Sequence, residues 1–409
     1  MKQTEIGVIP EDWEVKELGS ISEKVMVGIA SAATHAYTDK GVIMFRNQNI
    51  KPNYLNTDEV LYIKNDYEIL FKNKRLKEGD LLTARTGYPG TTAIVPKGYS
   101  GSQSFTTLIT RLKSDINSSY ISQYMNSDEG VKFFEANQIG GGQKNVNSAI
   151  LQKMPIPLPP LAEQEAIANA LSDADAWIEK LEQLIAKKRL IKQGAMQTLL
   201  TPKDDWEVKK LGEVCQEGGL IRGPFGGALK KEFFVKKGFK VYEQKNAIYK
   251  SVDLGNYYID LNKFKELSRF EIREDDFILS CSGTIGKLYR IPKVFEKGII
   301  NQALLIIRLN NSLINHSFFN HIFQYDTIQA KIIDDTQGGA MKNLVGMSEF
   351  RNTEIPLPSL SEQERIATIL SDMDAEIEAL EQQLGKARQI KQGMMQELLT
   401  GRTRLVKPN

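Results

Sequence analysis

The 46 residues from Ile156 to Thr201 recur as Ile355 to Thr400 without a gap, at a constant offset of 199 (355 − 156), and 31 of the 46 positions are identical. A second echo marks the start of each half: Asp12-Trp13-Glu14-Val15-Lys16-Glu17-Leu18-Gly19 returns as Asp205-Trp206-Glu207-Val208-Lys209-Lys210-Leu211-Gly212. Each half is therefore an opening motif, a divergent body and a shared block. Such a chain folds into two similar surfaces and needs a function that uses both.

The shared block has the pattern of a long helix. Apolar residues fall at Ile366, Leu370, Met373, Ile377, Leu380 and Leu384, and in the first copy at Ile167, Leu171, Ala174, Ile178, Leu181 and Ile185. Alternating steps of four and three define a coiled-coil seam. Continuing it through Ile390, Met394 and Leu398 (Ile191, Ala195 and Leu199) requires a register shift near Gly385 to Ile390, and so a local kink or change of supercoil. Pro356-Leu357-Pro358 cannot enter the helix, Ser361 with Glu364 makes a capping box, and Ala162 weakens the same cap in the first copy. Thr201-Pro202 closes one helix and Gly401 offers a left-handed cap to the other. A helix from Glu163 to Thr201 is a rod of roughly 58 Å. It cannot bury its stripe alone, and the partner of equal length is the other copy, antiparallel within the chain. Packing on its own body, or pairing between two chains, are the alternatives.

The bodies read as mixed α/β with many short strands, giving an α+β chain overall. The fold class expected is two mixed α/β bodies separated by two long helices packed as an antiparallel coiled coil, with pseudo-two-fold symmetry. Gly79 to Gly90 aligns with Asp275 to Gly286 as a strand running into a Gly-x-x-Gly turn. Gly101-Ser102-Gln103 aligns with Ile300-Asn301-Gln302, and the loop Gly140 to Asn145 with Gly338 to Asn343. Polar side chains on these turns differ between halves, and Arg, Lys, Asn, Gln, Ser and Thr are the residue types that hold phosphates or read base edges. The candidates for DNA contact are Gln48, Asn49, Thr83, Arg85, Thr86, Gln103 and Lys144 in the first half. In the second they are Arg222, Lys245, Asn246, Ser280, Ser282, Lys287, Gln302 and Lys342. Basic clusters occur at Lys72, Lys74, Arg75 and Lys77, and between Lys230 and Lys250.

Composition bounds the rest. A length of 409 residues fits two to three domains, and 41% hydrophobic with 25% charged residues is an ordinary globular balance. Two cysteines, Cys215 and Cys281, exclude a disulfide framework; with no signal peptide and no long apolar run, a cytoplasmic protein with no membrane association is expected. The net charge of +2 neither demands nor excludes a nucleic-acid partner. His35, His316 and His321 have no spacing suited to a metal site or a catalytic triad. Gly283-Thr284-Ile285-Gly286-Lys287 is too short for a phosphate-binding P-loop, and no Asn/Asp-Pro-Pro-aromatic motif for base methylation occurs. Glu14-Val15-Lys16 and Glu207-Val208-Lys209 match the Glu-x-Lys of some nucleases but lack an upstream acid, and read better as short strands with the tryptophan packed inward. No metal and no catalytic residue is assigned.

Ile156-Pro157-Leu158-Pro159-Pro160-Leu161-Ala162-Glu163-Gln164 and Ile355-Pro356-Leu357-Pro358-Ser359-Leu360-Ser361-Glu362-Gln363 each follow a divergent body opened by Trp-x-x-x-x-Leu-Gly. In this the chain closely resembles the specificity subunits of type I restriction-modification systems, over essentially its whole length. The resemblance implies target recognition domains at residues 1–154 and 203–353, and helical spacers at 155–202 and 354–409. Each recognition domain would read half of a bipartite, asymmetric double-stranded DNA target, and the helices would fix the spacer and dock two modification subunits. The chain itself would carry no cofactor and not be an enzyme. S-adenosylmethionine, Mg and ATP would be used by the modification and restriction subunits. The alternatives are a homodimeric coiled-coil DNA-binding scaffold, or a specificity module of a related methylase or nuclease system.

Overall fold

The repeated block is helical throughout both copies. In the computed structural model, which describes residues 1–31, 33–138, 144–334 and 343–406, Leu161–Leu199 and Leu360–Leu398 are unbroken helices of 39 residues, each about 58 Å long. The second is capped by Ser359, whose Oγ accepts from Glu362 N at 3.4 Å; Ser361, expected to cap it, lies inside the first turn beside Ser359. The first copy has Pro160 at that place and lacks a hydroxyl. Gly401 does take a left-handed φ of 68°.

The expected register shift does not occur. Ile191 and Ile390, read as seam residues, are 47% and 52% exposed. The 3-4 rhythm runs on through Ala387 and Lys391, and through Lys188 and Lys192. Each lysine enters the seam by its aliphatic stem and ends on a carboxylate of the facing helix, Lys391 on Asp175 and Lys192 on Asp374. A search for apolar residues at a fixed spacing chose the neighbouring isoleucine because it cannot see a lysine that packs with its stem. Ile167, Leu171, Leu181, Ile185, Ile366, Leu370 and Ile377 are buried, while Ile178, Leu380 and Leu384 are half-buried.

The chain divides into two compact units, residues 1–183 with 381–409, and residues 184–380. Each long helix begins in one unit and ends in the other. Within the first unit the helices run antiparallel, with Asp175 paired to Lys391 and Glu182 to Arg388 (2.6 Å). Within the second, Lys188 pairs with Glu376 (2.6 Å) and Lys192 with Asp374 in the same antiparallel sense.

The two units share one body architecture. In the first, an antiparallel four-stranded sheet has the order Thr92–Ile94, Leu81–Thr83, Leu108–Leu112, Ser22–Val27. In the second, Leu288–Arg290, Phe277–Ser280, Leu304–Leu309 and Cys215–Arg222 follow in the same order. A second four-stranded sheet in each body contains one parallel pair, Gln103–Ser104 with Val42–Phe45 and Gly298–Ile300 with Phe239–Tyr242. Buried Leu, Ile and Phe from both faces of the strands form the cores. Each unit is thus α+β as expected, with an antiparallel helix pair against a mixed body.

The opening motif and the proline-rich lead-in explain each other. Glu14–Glu17 pairs antiparallel with Pro155–Leu158, and Glu207–Lys210 with Glu354–Leu357. Proline survives in these strands because each pair is only two strands wide, so its missing N–H can face away from the ladder. Trp13 and Trp206 pack inward, and the Glu-x-Lys side chains pair with each other on the surface.

Leu171→Ala, at a fully buried seam position, should cost about 2–5 kcal/mol of stability, whereas Ile191→Ala should stay within about 0.5 kcal/mol. Denaturant unfolding of the two variants checks this; an equal loss in Ile191→Ala would restore the shifted register.

Candidate nucleic-acid interface

Each body is fixed to the helices by the glutamine that follows the glutamate of the repeated motif. Gln164 Nε2 donates to Pro159 O and its Oε1 accepts from Asn117 N at 3.0 Å, at the start of the helix Ser118–Met125. Gln363 repeats this with Pro358 O and with Asn315 N at 2.8 Å, at the start of His316–Phe323. The far ends of these short helices lie against a half-buried acid of the helix pair. Gln123 Nε2 donates to Asp175 at 2.7 Å, the carboxylate that Lys391 also holds. In the second unit His321 occupies the place of Gln123, its Nε2 3.1 Å from Ser371 Oγ and its Nδ1 3.9 Å from Asp374. Burial drives the His321 pKa down to about 4, against the pull of Asp374, while Lys192 and Lys250 push the same way as burial.

Another matched pair braces each central sheet. Arg111 grips Asp80 through Nε (2.9 Å) and Nη2 (2.6 Å), and Arg308 grips Asp276 through Nε and Nη2 at 2.7 Å each. Asp80 and Asp276 also accept from Lys77 N and Arg273 N at 2.8 Å. A buried carboxylate with one bidentate arginine and a backbone donor is well satisfied.

On this frame stands the glycine turn. Gly87 and Gly90, and in the second body Gly283 and Gly286, all take positive φ, which side chains with a Cβ rarely adopt. Asn47 fixes the first turn: its Oδ1 accepts from Arg85 N at 2.9 Å, and its Nδ2 reaches Thr86 and Thr106. Gln244 performs the equivalent task, its Nε2 donating to the carbonyls of Ser282 and Thr284.

The sequence candidates separate into two groups. Asn49 and Asn246 are buried, and every polar atom of each side chain is engaged. Oδ1 accepts from Arg46 N or Glu243 N, and Nδ2 donates to Asn56 and Glu59 carbonyls, or to those of Ser251 and Leu254. They shape loops and present nothing to a base. Thr83 is buried against Thr92 (2.9 Å), and Ser280 accepts from Lys287 N. Gln103 is buried on Glu68 and the Phe71 carbonyl. Nor is Gln103 the equivalent of Gln302, since it pairs with Met44 where Ile299 pairs with Val241. Gln48, Lys144, Ser282, Lys287 and Gln302 are exposed, and Arg85, Thr86, Arg222 and Lys245 are half-buried, Lys245 on Glu243 at 2.9 Å. Lys342 and the glycine loops at 140–143 and 338–342 lie outside the described residues. The basic clusters are also partly internal: Arg75 grips Glu68, Lys74 donates to Gly28 O, and buried Lys240 pairs with Glu296.

The side chains best placed to meet an anion or a base edge are arginines without acidic partners. Arg46, Arg85 and Arg222 have a buried Nε with no hydrogen-bond partner, and none pairs with a carboxylate among the described residues. Sequence reading missed Arg46 and Asn47, although both adjoin Gln48; the signal available was the offset of 197 that aligns Asn47 with Gln244. Cys281, beside the second turn, has its thiol pushed up to about 12 by burial, which Arg222 opposes; Cys215 is likewise raised to about 12. Both are structural thiols, not nucleophiles.

Known proteins share this organisation. Residues 10–188 and 203–389 each match the family model described as the type I restriction modification DNA specificity domain. The type I restriction enzyme MjaVIII specificity subunit of Methanocaldococcus jannaschii is 23% identical over 430 residues, covering 97% of this chain and 94% of that one. The EcoBI specificity subunit of Escherichia coli is 25% identical over 272 residues, covering 60% of this chain and 56% of that one. The crystal structure of the type I restriction-modification S subunit from M. genitalium superposes with a TM-score of 0.60 at 17% identity, covering 97% of this chain and 98% of that one.

His321→Gln, which installs the side chain found at Gln123, should flatten the stability profile on the acid side. A histidine whose folded pKa is depressed binds its proton more readily when unfolded, so stability is present above about pH 6.5 and is lost as pH falls toward 4. At about 1.4 kcal/mol per tenfold difference in proton affinity, that loss is on the order of 3 kcal/mol. Melting temperatures at pH 7 and pH 4.5 for both proteins check it; an unchanged difference would remove His321 as the cause.

Proposed function

Because this chain belongs to the family of type I restriction modification DNA specificity domains, we propose that its two bodies, residues 1–154 and 203–353, each read one half of a bipartite, asymmetric DNA target. One observation carries this reading. The same turn, stapled from the same position by an amide side chain, bears different side chains in the two units: Arg46, Asn47, Arg85 and Thr86 in one, Glu243, Gln244, Cys281 and Ser282 in the other. A common frame with exchanged polar residues is what two different half-sites require, since base edges are read by donor and acceptor pattern. Each good bidentate pair to a base is worth about 1–3 kcal/mol of discrimination. Lysines and arginines around it supply the salt-dependent phosphate contribution.

The helices, residues 155–202 and 354–409, fix the unspecific spacer and dock two modification subunits. Exposed apolar side chains support the docking role. Ile390 and Trp177 stand on the helix surfaces of the first unit, and Leu184, Leu190 and Ile191 on those of the second. Ile191 and Ile390 are the same position of the repeat, so each partner subunit would meet an equivalent residue. Methylation and cleavage, with S-adenosylmethionine, Mg and ATP, belong to the modification and restriction subunits in this reading, and the chain is a non-catalytic recognition subunit.

Methylated-base sequencing in cells that express the chain with a modification subunit tests the whole. Deleting Leu181 to Leu184 together with Leu380 to Gln383 removes about 6 Å from each helix, and should shorten the preferred spacer by about one or two base pairs. An unchanged spacer in a folded variant would sink the ruler. Exchanging Trp13 to Met154 for the matching segment of a relative should alter one half-site and leave the other intact; a change in both would contradict modular reading.

A further inference from the structure

The second unit contains a hollow bordered by three arginines. Leu220, Arg222, Phe225, Arg269, Met347 and Arg351 line a cavity of about 280 Å³, with Gly223 and Phe270 completing its wall. It lies just below the about 300 Å³ at which small-molecule pockets begin, so it suits a compact group better than an extended ligand.

Three guanidinium groups border this hollow, and none meets a carboxylate among the described residues. Arg111 and Arg308, which brace the central sheets, are instead paired bidentately with acids. Arg222 is held differently. Its Nε is buried with no partner, and its guanidinium lies 5.9 Å from the centre of the Phe225 ring. Gly223 permits this arrangement, since a Cβ there would come within 1.9 Å of Asn301 O. The apolar wall keeps the local dielectric low, so the uncompensated charge acts strongly on an arriving anion.

The equivalent positions of the first unit carry one cation, Lys74, in place of three arginines. Val27 pairs with Leu108 where Arg222 pairs with Leu305. Gln152 O accepts from Gly19 N where Arg351 O accepts from Gly212 N. Asn73 stands at the place of Arg269, because Leu76 bonds to Ser102 O as Ile272 bonds to Gly298 O. Lys74, at the place of Phe270, turns inward and donates to Gly28 O. A wall with a single lysine held on a backbone carbonyl thus corresponds to a hollow bordered by three arginines.

We propose that this hollow holds a backbone phosphate of DNA lying on the second recognition domain, with Arg222, Arg269 and Arg351 as its donors. Arginine forks suit the paired oxygens of a phosphodiester, and such a contact positions DNA without reading its sequence. The two half-sites are then held unequally, the second by three guanidinium groups where the first has one lysine engaged on Gly28 O. This inference rests on the DNA-reading function proposed above.

The test uses the full chain assembled with its modification subunits and duplexes carrying the target found by methylation mapping. Arg269 and Arg351 are exposed, so Arg269→Gln/Arg351→Gln should fold. It should lower the slope of log binding constant against log salt by about 0.9, the share of one phosphate, and leave the methylated sequence unchanged. Arg269→Lys/Arg351→Lys should restore the slope. Replacing phosphates one at a time by neutral methylphosphonates should weaken wild-type binding at a linkage in the second half-site and have no further effect there in the glutamine variant. A variant that keeps both the wild-type slope and the wild-type methylphosphonate profile overturns the phosphate site while the DNA-reading function stands. A wild-type complex with no sequence-specific binding removes both.

Discussion

A side chain at the first turn of each long helix fixes where a recognition body sits on the helices. Gln164 and Gln363 both use their carboxamide to donate to the proline-rich lead-in and to accept from the backbone N–H of the residue that caps a helix in the body. Because both partners are backbone groups, the contact is indifferent to what the body has become in sequence. It can therefore persist unchanged beneath two bodies that share few residues. The glutamate before it has no such fixed task. Glu163 is buried under Trp13 and Arg404, whereas Glu362 meets Lys203 and Arg365 near solvent and its pKa drops to about 2, chiefly through the Arg365 hydrogen bond.

A second constraint acts through charge in the seam. Asp175 binds Lys391 from the facing helix and Gln123 from the body, and Asp374 binds Lys192 from the facing helix. Replacing a leucine–leucine contact with a carboxylate and an ammonium gains little free energy by itself. It does penalise slippage, because a one-turn slide would strand both charges against apolar neighbours. Register is thereby set by a polar residue, as in coiled coils with a single buried polar position.

These two constraints also explain which parts of the fold were legible in the sequence. The repeat, the long helices, the inward tryptophans and the glycine turns follow from offset, periodicity and residue type alone. Lys192 and Lys391 were not legible as seam residues, because their apolar contribution comes from stems that a hydrophobicity pattern does not count. Asn49 and Asn246 misled for the opposite reason. They are polar residues on a loop, but loops need internal donors and acceptors as much as ligands do. Gln103 and Gln302 carry the same letter one repeat apart, yet lie in different registers of the sheet. The asparagines at matched offsets with matched neighbours are structural, whereas Arg46, Arg85 and Arg222, which do not match across the repeat, each keep a buried Nε without a partner.

That contrast gives a criterion for where specificity resides in a duplicated chain. A polar residue retained in both halves serves what both halves share, which is the frame: Asp80 with Asp276, Asn49 with Asn246, Gln164 with Gln363. A polar residue present in one half alone is not required by the shared frame, and where it lacks a local structural partner, such as Gln103 has in Glu68, it is available to a ligand. Arg222 illustrates the point, because Val27 closes the equivalent strand with no loss of architecture. Its unpartnered Nε is a cost to folding that an anionic ligand would offset. Reading differences between halves for unsatisfied donors therefore separates recognition from support more sharply than exposure or residue type does.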